Sequence, residues 1–128
     1  MFQPYKRNGQ PDSAEYLEVT ANETVALGEA LVISSGKLTK CGATTAPTYI
    51  AMGSVTSAPS GTKIPVIRVS KDVIYESQLS VDSSSIAIGA SYTLSSDGLK
   101  VTATTTSGVA ECVGFEGKKA GDKVFVRF

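Results

Sequence analysis

Val25–Ala26–Leu27–Gly28, followed by Ala30–Leu31–Val32–Ile33–Ser34, returns later in the chain as Ile86–Ala87–Ile88–Gly89, followed by Ser91–Tyr92–Thr93–Leu94–Ser95. Each copy then turns on glycine, Gly36–Lys37–Leu38–Thr39 against Gly98–Leu99–Lys100–Val101. Each crosses a Thr/Ala/Ser-rich stretch to a strand of small residues, Ile50–Ala51–Met52–Gly53 against Cys112–Val113–Gly114. Each closes on Gly–X–Lys–apolar–X–Val: Gly61, Lys63, Ile64 and Val66 against Gly121, Lys123, Val124 and Val126. A duplication this long sets the architecture before any chemistry is considered. The repeated positions are turn glycines and core apolar residues, not reactive side chains, which argues against an enzyme.

Working outward, Met1–Glu15 is polar, with two prolines and a glycine, and reads as an extended arm without core contribution. Tyr16–Thr20 alternates and reads as the first strand of a single β domain over 16–128, with internal repeats at about 25–69 and 86–128. Further strands are expected at 30–34, 37–41, 49–57, 62–69, 71–79, 91–94, 99–104, 109–116 and 122–128. Pro65 marks its strand as an edge or a bulge. No window shows 3.6-residue periodicity over ten or more residues, and Val, Ile, Thr, Ser and Gly dominate. The expected fold is all-β, a small barrel or sandwich of two duplicated β-meander units around one shared core, with little or no helix.

Lys+Arg is 12 and Asp+Glu is 12, with five of each through Ile64 and seven of each after it. Neither half is basic enough to point to nucleic acid or an anionic membrane. A net charge near zero suits packing against copies of itself or a large assembly. There is no His, which removes the commonest general base and metal ligand. Cys41 and Cys112 are not at equivalent repeat positions and lack metal-site spacing, so they read as buried free thiols. No apolar run is long enough to span a bilayer as a helix, and the N-terminus lacks the apolar region of a signal peptide.

Ser34–Lys37 and Ser60–Lys63 match S-x-x-K, but both fall on hairpin turns, where Lys is not brought onto Ser. Asp82, Asp97 and Asp122 read as isolated turn acids with local hydrogen bonds. Lys118 and Lys119 read as a solvated hairpin tip. Neither a catalytic residue nor a cofactor or metal ligand is therefore assigned. Most aromatics sit at strand spacing and read as core. Phe2 and Tyr5 lie in the arm and, with Lys6 and Arg7, are the candidate anchors on a partner surface.

The pattern of strand, Gly turn, strand, Thr/Ala loop, apolar–Gly–apolar and terminal Gly–X–Lys–apolar–X–Val resembles bacteriophage capsid (head) decoration proteins. Val73–Ile74–Tyr75–Glu76 leading to Ala87–Ile88–Gly89–Ala90–Ser91–Tyr92–Thr93–Leu94, then Val113–Gly114 before Val126–Arg127, carries the resemblance over about residues 17–128. It implies a β-barrel or tulip-like domain that trimerises on the outer face of a viral shell, with an N-terminal arm reaching onto the lattice. The expected function is that of a non-enzymatic virion structural protein, made in the host cytoplasm, which binds the major capsid protein and itself as a homotrimer. No cofactor, nucleic acid or membrane is expected as a partner. The alternative is a glycan- or receptor-binding module of a phage fibre or bacterial surface protein, which requires Tyr49, Tyr75 and Tyr92 to line one open face. A small hydrolase would need a cleft with two converging polar side chains.

Overall fold

The computed structural model describes residues 1–8 and 14–128. Its strands are β1 (Gln3–Arg7), β2 (Glu15–Glu18), β3 (Ala30–Ser34), β4 (Lys37–Lys40), β5 (Tyr49–Ala51), β6 (Lys63–Arg68), β7 (Val73–Gln78), β8 (Ser91–Tyr92), β9 (Ala110–Phe115) and β10 (Lys123–Arg127). They form two five-stranded antiparallel sheets, ordered β1-β7-β10-β9-β8 and β2-β6-β5-β3-β4, in a small β-sandwich. The described residues contain no helix.

The duplication is visible rung by rung. β2 lies on β6 with Glu15 opposite Val66, Tyr16 opposite Pro65, Leu17 opposite Ile64 and Glu18 opposite Lys63. β7 lies on β10 with Tyr75 opposite Val126, Glu76 opposite Phe125, Ser77 opposite Val124 and Gln78 opposite Lys123. Just beyond these strands, parallel bridges join Val19 to Leu38 and Leu79 to Val101. Leu and Val exchange places across that bridge, which conserves its volume.

The interior is two clusters rather than the one shared core expected. The first holds Val19, Val25, Leu31, Leu38, Tyr49, Ala51, Ala58, Ile64 and Val66. All of these except Ala58 have a counterpart in the second cluster: Leu79, Ile86, Tyr92, Val101, Ala110, Cys112, Val124 and Val126. The second cluster also takes Ala30, Cys41 and Ile50 from the first half, and Phe2, Val73, Tyr75 and Leu94. These extra residues form the seam between the halves.

The hairpin β3–β4 turns through Ser35 and Gly36, both at positive φ (49° and 78°), as a two-residue connection demands. Its counterpart is longer. Ser95 N–H donates to Lys100 O at 2.9 Å, with Ser96 to Leu99 between them. The strand expected at 99–104 is thereby reduced to single bridges at Val101. Gly98 (φ 70°) sits at the seam, where an added Cβ would stand 3.2 Å from Glu29 Cγ and 3.3 Å from Ala30 O. Around Gly36 nothing lies within 4 Å of such a Cβ. Gly36→Ala is expected to cost about 1 kcal/mol in chemical denaturation. Gly98→Ala, carrying the same strain plus the collision, is expected to cost about 2–3 kcal/mol. Equal costs would contradict a tight seam.

Further expectations are corrected. Pro65 lies in β6, an interior strand. Its carbonyl accepts Met52 N–H at 2.9 Å, and Gly53 leaves room for its ring, since a Cβ there would approach Pro65 Cδ at 2.8 Å. β5 has already ended at Ala51, so the donor that proline lacks falls beyond the ladder, and the strand expected over 49–57 stops early. The arm expected over residues 1–15 is not without core contribution. Gln3–Arg7 pairs with β7, Phe2 is 1% exposed, and Glu15 opens β2. Residues 9–13 of that stretch lie outside the described residues.

Candidate docking surface

Of the four candidate anchors, the structure separates Phe2 from the other three. Phe2 N–H donates to Gly28 O at 2.9 Å, and its ring meets Phe128 edge-on at 5.3 Å, within the second cluster. Phe2 is therefore a core residue and is corrected as a partner contact.

Tyr5, Lys6 and Arg7 are set by strand geometry. β1 pairs with β7 through Gln3–Glu76 and Pro4–Tyr75, then Lys6–Ile74 and Arg7–Val73, with a register shift between Pro4 and Lys6. Tyr5 is the extra residue. Such a bulge re-aims a side chain at a sheet edge. The Tyr5 ring, 59% exposed, lies on Phe125 at 4.5 Å between centroids. Phe125 in turn lies over Gly114, where a Cβ would stand 3.5 Å from its Cδ2. Beside this ring pair, Lys6, Arg7 and Arg127 line a cleft of about 230 Å³ with Asn8, Asp72 and Ile74. Three cations against one carboxylate favour an acidic partner surface there. Arg127 and Phe125 come from the last strand, and nothing in the N-terminal sequence points to them.

Several other ionisable groups are engaged locally. Lys37 Nζ is 2.9 Å from Glu18 Oε1, so the Ser34–Lys37 motif has its lysine engaged elsewhere. Asp97 accepts Leu99 N–H and the Ser95 hydroxyl, and these bonds hold its carboxyl below the ordinary range. Asp82 and Asp122, expected to stand apart, meet at one turn. Asp82 accepts Ala120 N–H and the Lys119 ammonium, while Asp122 accepts Lys119 N–H. Those bonds lower the Asp82 pKa, which is the wrong direction for a general acid. Among the described residues no three His, Cys, Asp or Glu side chains gather as a metal site. Cys41 and Cys112 are buried free thiols, and burial pushes the Cys41 thiol up to about 11. Tyr49, Tyr75 and Tyr92 are all buried in the two clusters and share no open face; only Tyr49 reaches a surface groove, beside Arg68.

Among the described residues Glu29 is the one buried acid, at the seam. Its Oε2 accepts Ala26 N–H at 2.8 Å, while Oε1 has no hydrogen-bond partner. Burial raises its pKa, outweighing the Ala26 bond and the attraction of Lys40, and Asp97 and Glu23 add repulsion. An acid with a raised folded-state pKa stabilises the fold most below its unfolded pKa and loses that contribution as pH rises through the folded value. Relative to Glu29→Gln, the native protein is therefore expected to gain thermal stability between pH 7 and pH 4. A difference that is flat, or falls with acid, would contradict this.

A scan against protein-family models, a search of curated proteins and a search of solved structures each found no match.

Proposed function

We propose that this chain is a non-enzymatic virion structural protein that binds the outer surface of a phage capsid as an oligomer and stabilises it. One observation carries the reading. The exposed Tyr5 ring lies on half-buried Phe125, and a cleft lined by Lys6, Arg7 and Arg127 is built from the same three neighbouring strands, β1, β7 and β10. A rigid face with aromatic and arginine anchors suits protein recognition, and many weak copies on a lattice add up through multivalency. The docking group is thus a fixed strand edge rather than a free arm. The glycan-binding alternative keeps no aromatic platform from Tyr49, Tyr75 and Tyr92.

The test is co-sedimentation with purified phage shells that lack the protein. The native chain is expected to pellet with the shells. Tyr5→Ser combined with Lys6→Glu is expected to weaken binding at least tenfold while leaving the melting curve nearly unchanged. Failure of the native chain to pellet, or undiminished binding by the variant, would count against the reading.

A further inference from the structure

The two halves of the molecule meet through different surfaces. Ala30 N–H of the first half donates to Gly98 O of the second, and Leu94 N–H of the second donates to Ala43 O of the first, both at 2.9 Å. A two-fold seam would repeat these bonds with the roles exchanged. Ser91 N–H would then reach Gly36 O, and Ile33 N–H would reach a carbonyl of the 104–108 loop. Neither bond exists among the described residues. The seam is therefore heterologous: the back of one unit packs on the front of the next.

Such a seam leaves one front and one back unused. Ala30, Ile50, Leu94 and Gly98 are buried in the seam, whereas their counterparts Glu111, Ile33 and Gly36 are exposed and Ser91 is half-buried. The unused front is concave. Ile33, 42% exposed, borders a groove of about 520 Å³ with Val32, Thr45, Ala46, Tyr49 and Arg68. At the seam the corresponding residue, Leu94, is covered by the 41–43 segment of the other half. The chemistry of the unused surfaces also differs from that of the seam. Ile50 is replaced by Glu111 on the back. On the front, Tyr75 and Phe128 are replaced by Glu15 and Arg68, which pair at 3.1 Å. Arg68 lies 5.1 Å from the Tyr49 ring centre and faces solvent. The back thus carries a carboxylate, and the front a guanidinium that is paired with Glu15 and still open to solvent, which suits a separable contact between molecules.

We propose that the occupant of this groove is a second copy of the chain, docked head to tail. Its 104–108 loop lies over Ile33 and its Glu111 reaches Arg68, repeating between molecules the seam within each one. Heterologous contacts of this kind close into a ring when the rotation permits. The inference rests on the oligomeric part of the decoration reading and names its surface.

Sedimentation velocity of the full chain from micromolar to millimolar concentration tests it. The native protein is expected to form a discrete oligomer. Arg68→Glu and Glu111→Arg, each alone, are expected to weaken association at least tenfold, and the double reversal R68E/E111R to restore it. Melting curves establish that each variant is folded. If Arg68→Glu does not fold, Ile33→Lys, on an exposed side chain, takes its place with the same expected loss. A native chain that stays monomeric, single variants that associate normally, or a folded double reversal that does not recover would each overturn the proposal. A chain that pellets with shells yet stays monomeric overturns this inference and the oligomeric part of the decoration reading, and leaves shell binding standing. One that forms the ring yet ignores shells overturns only the capsid reading.

Discussion

Phe2→Ala is expected to lower stability by about 3–5 kcal/mol, a fall in Tm of roughly 10–20 °C for a chain of this length. A residue so near a terminus would ordinarily be neutral. Here the ring is enclosed by the second cluster, with Phe128 at 5.3 Å and Phe128 in turn 5.6 Å from Tyr75. Removing it leaves a void that the flanking sheet cannot close, and it frees the segment that pins β1 to the Gly28 turn. Tyr5→Ala, three residues away, removes an exposed ring and is expected to cost less than about 1 kcal/mol. Thermal melts of the two variants decide between an integral strand and a free arm. Equal, small effects would restore the free arm. A functional test that deletes the N-terminus would therefore confound binding with folding.

Ile50→Glu is expected to be the most damaging single change at the seam, costing more than about 4 kcal/mol, whereas Glu111→Ile should fall within about 0.5 kcal/mol. The two positions are repeat counterparts on β5 and β9, so strand propensity and rung position are closely matched. Their surroundings are not. Ile50 is fully buried in the second cluster, and Glu111 is exposed. A carboxylate at position 50 has no partner in that apolar seam and would have to be protonated or expose the cluster to water. Urea denaturation of both variants measures the asymmetry. Similar costs would mean that the halves pack through equivalent surfaces, which would also remove the basis for the head-to-tail contact.

The duplication and the hairpin chemistry were readable from residues because they are local. Ser35–Gly36 permits a two-residue turn, and alternation in Val73–Gln78 marks a half-buried strand. What escaped the sequence is long-range. β1 carries Pro4 and two basic residues, which reads as a solvated arm, and only its pairing with β7 explains Phe2. A usable signal did exist. In the second half the positions of Glu15 and Arg68 are taken by Tyr75 and Phe128, an apolar edge that some segment of chain must cover. Pro65 misled for a similar reason, because local rules place proline at an edge, while its strand neighbour here stops before the missing donor is needed. Of the candidate site, Tyr5 and Lys6 are exposed as the sequence suggests, whereas Arg7 is half-buried. Phe125 and Arg127, which complete that face, lie at the far end of the chain and are joined to it only by the sheet order.

The most direct test of the whole account is an electron cryomicroscopy reconstruction of phage shells incubated with the purified protein. The account predicts density for the two-sheet domain on the outer surface, with the Tyr5–Phe125 edge turned toward the shell. Shells without added density, or a domain seated with that edge facing solvent, would contradict it.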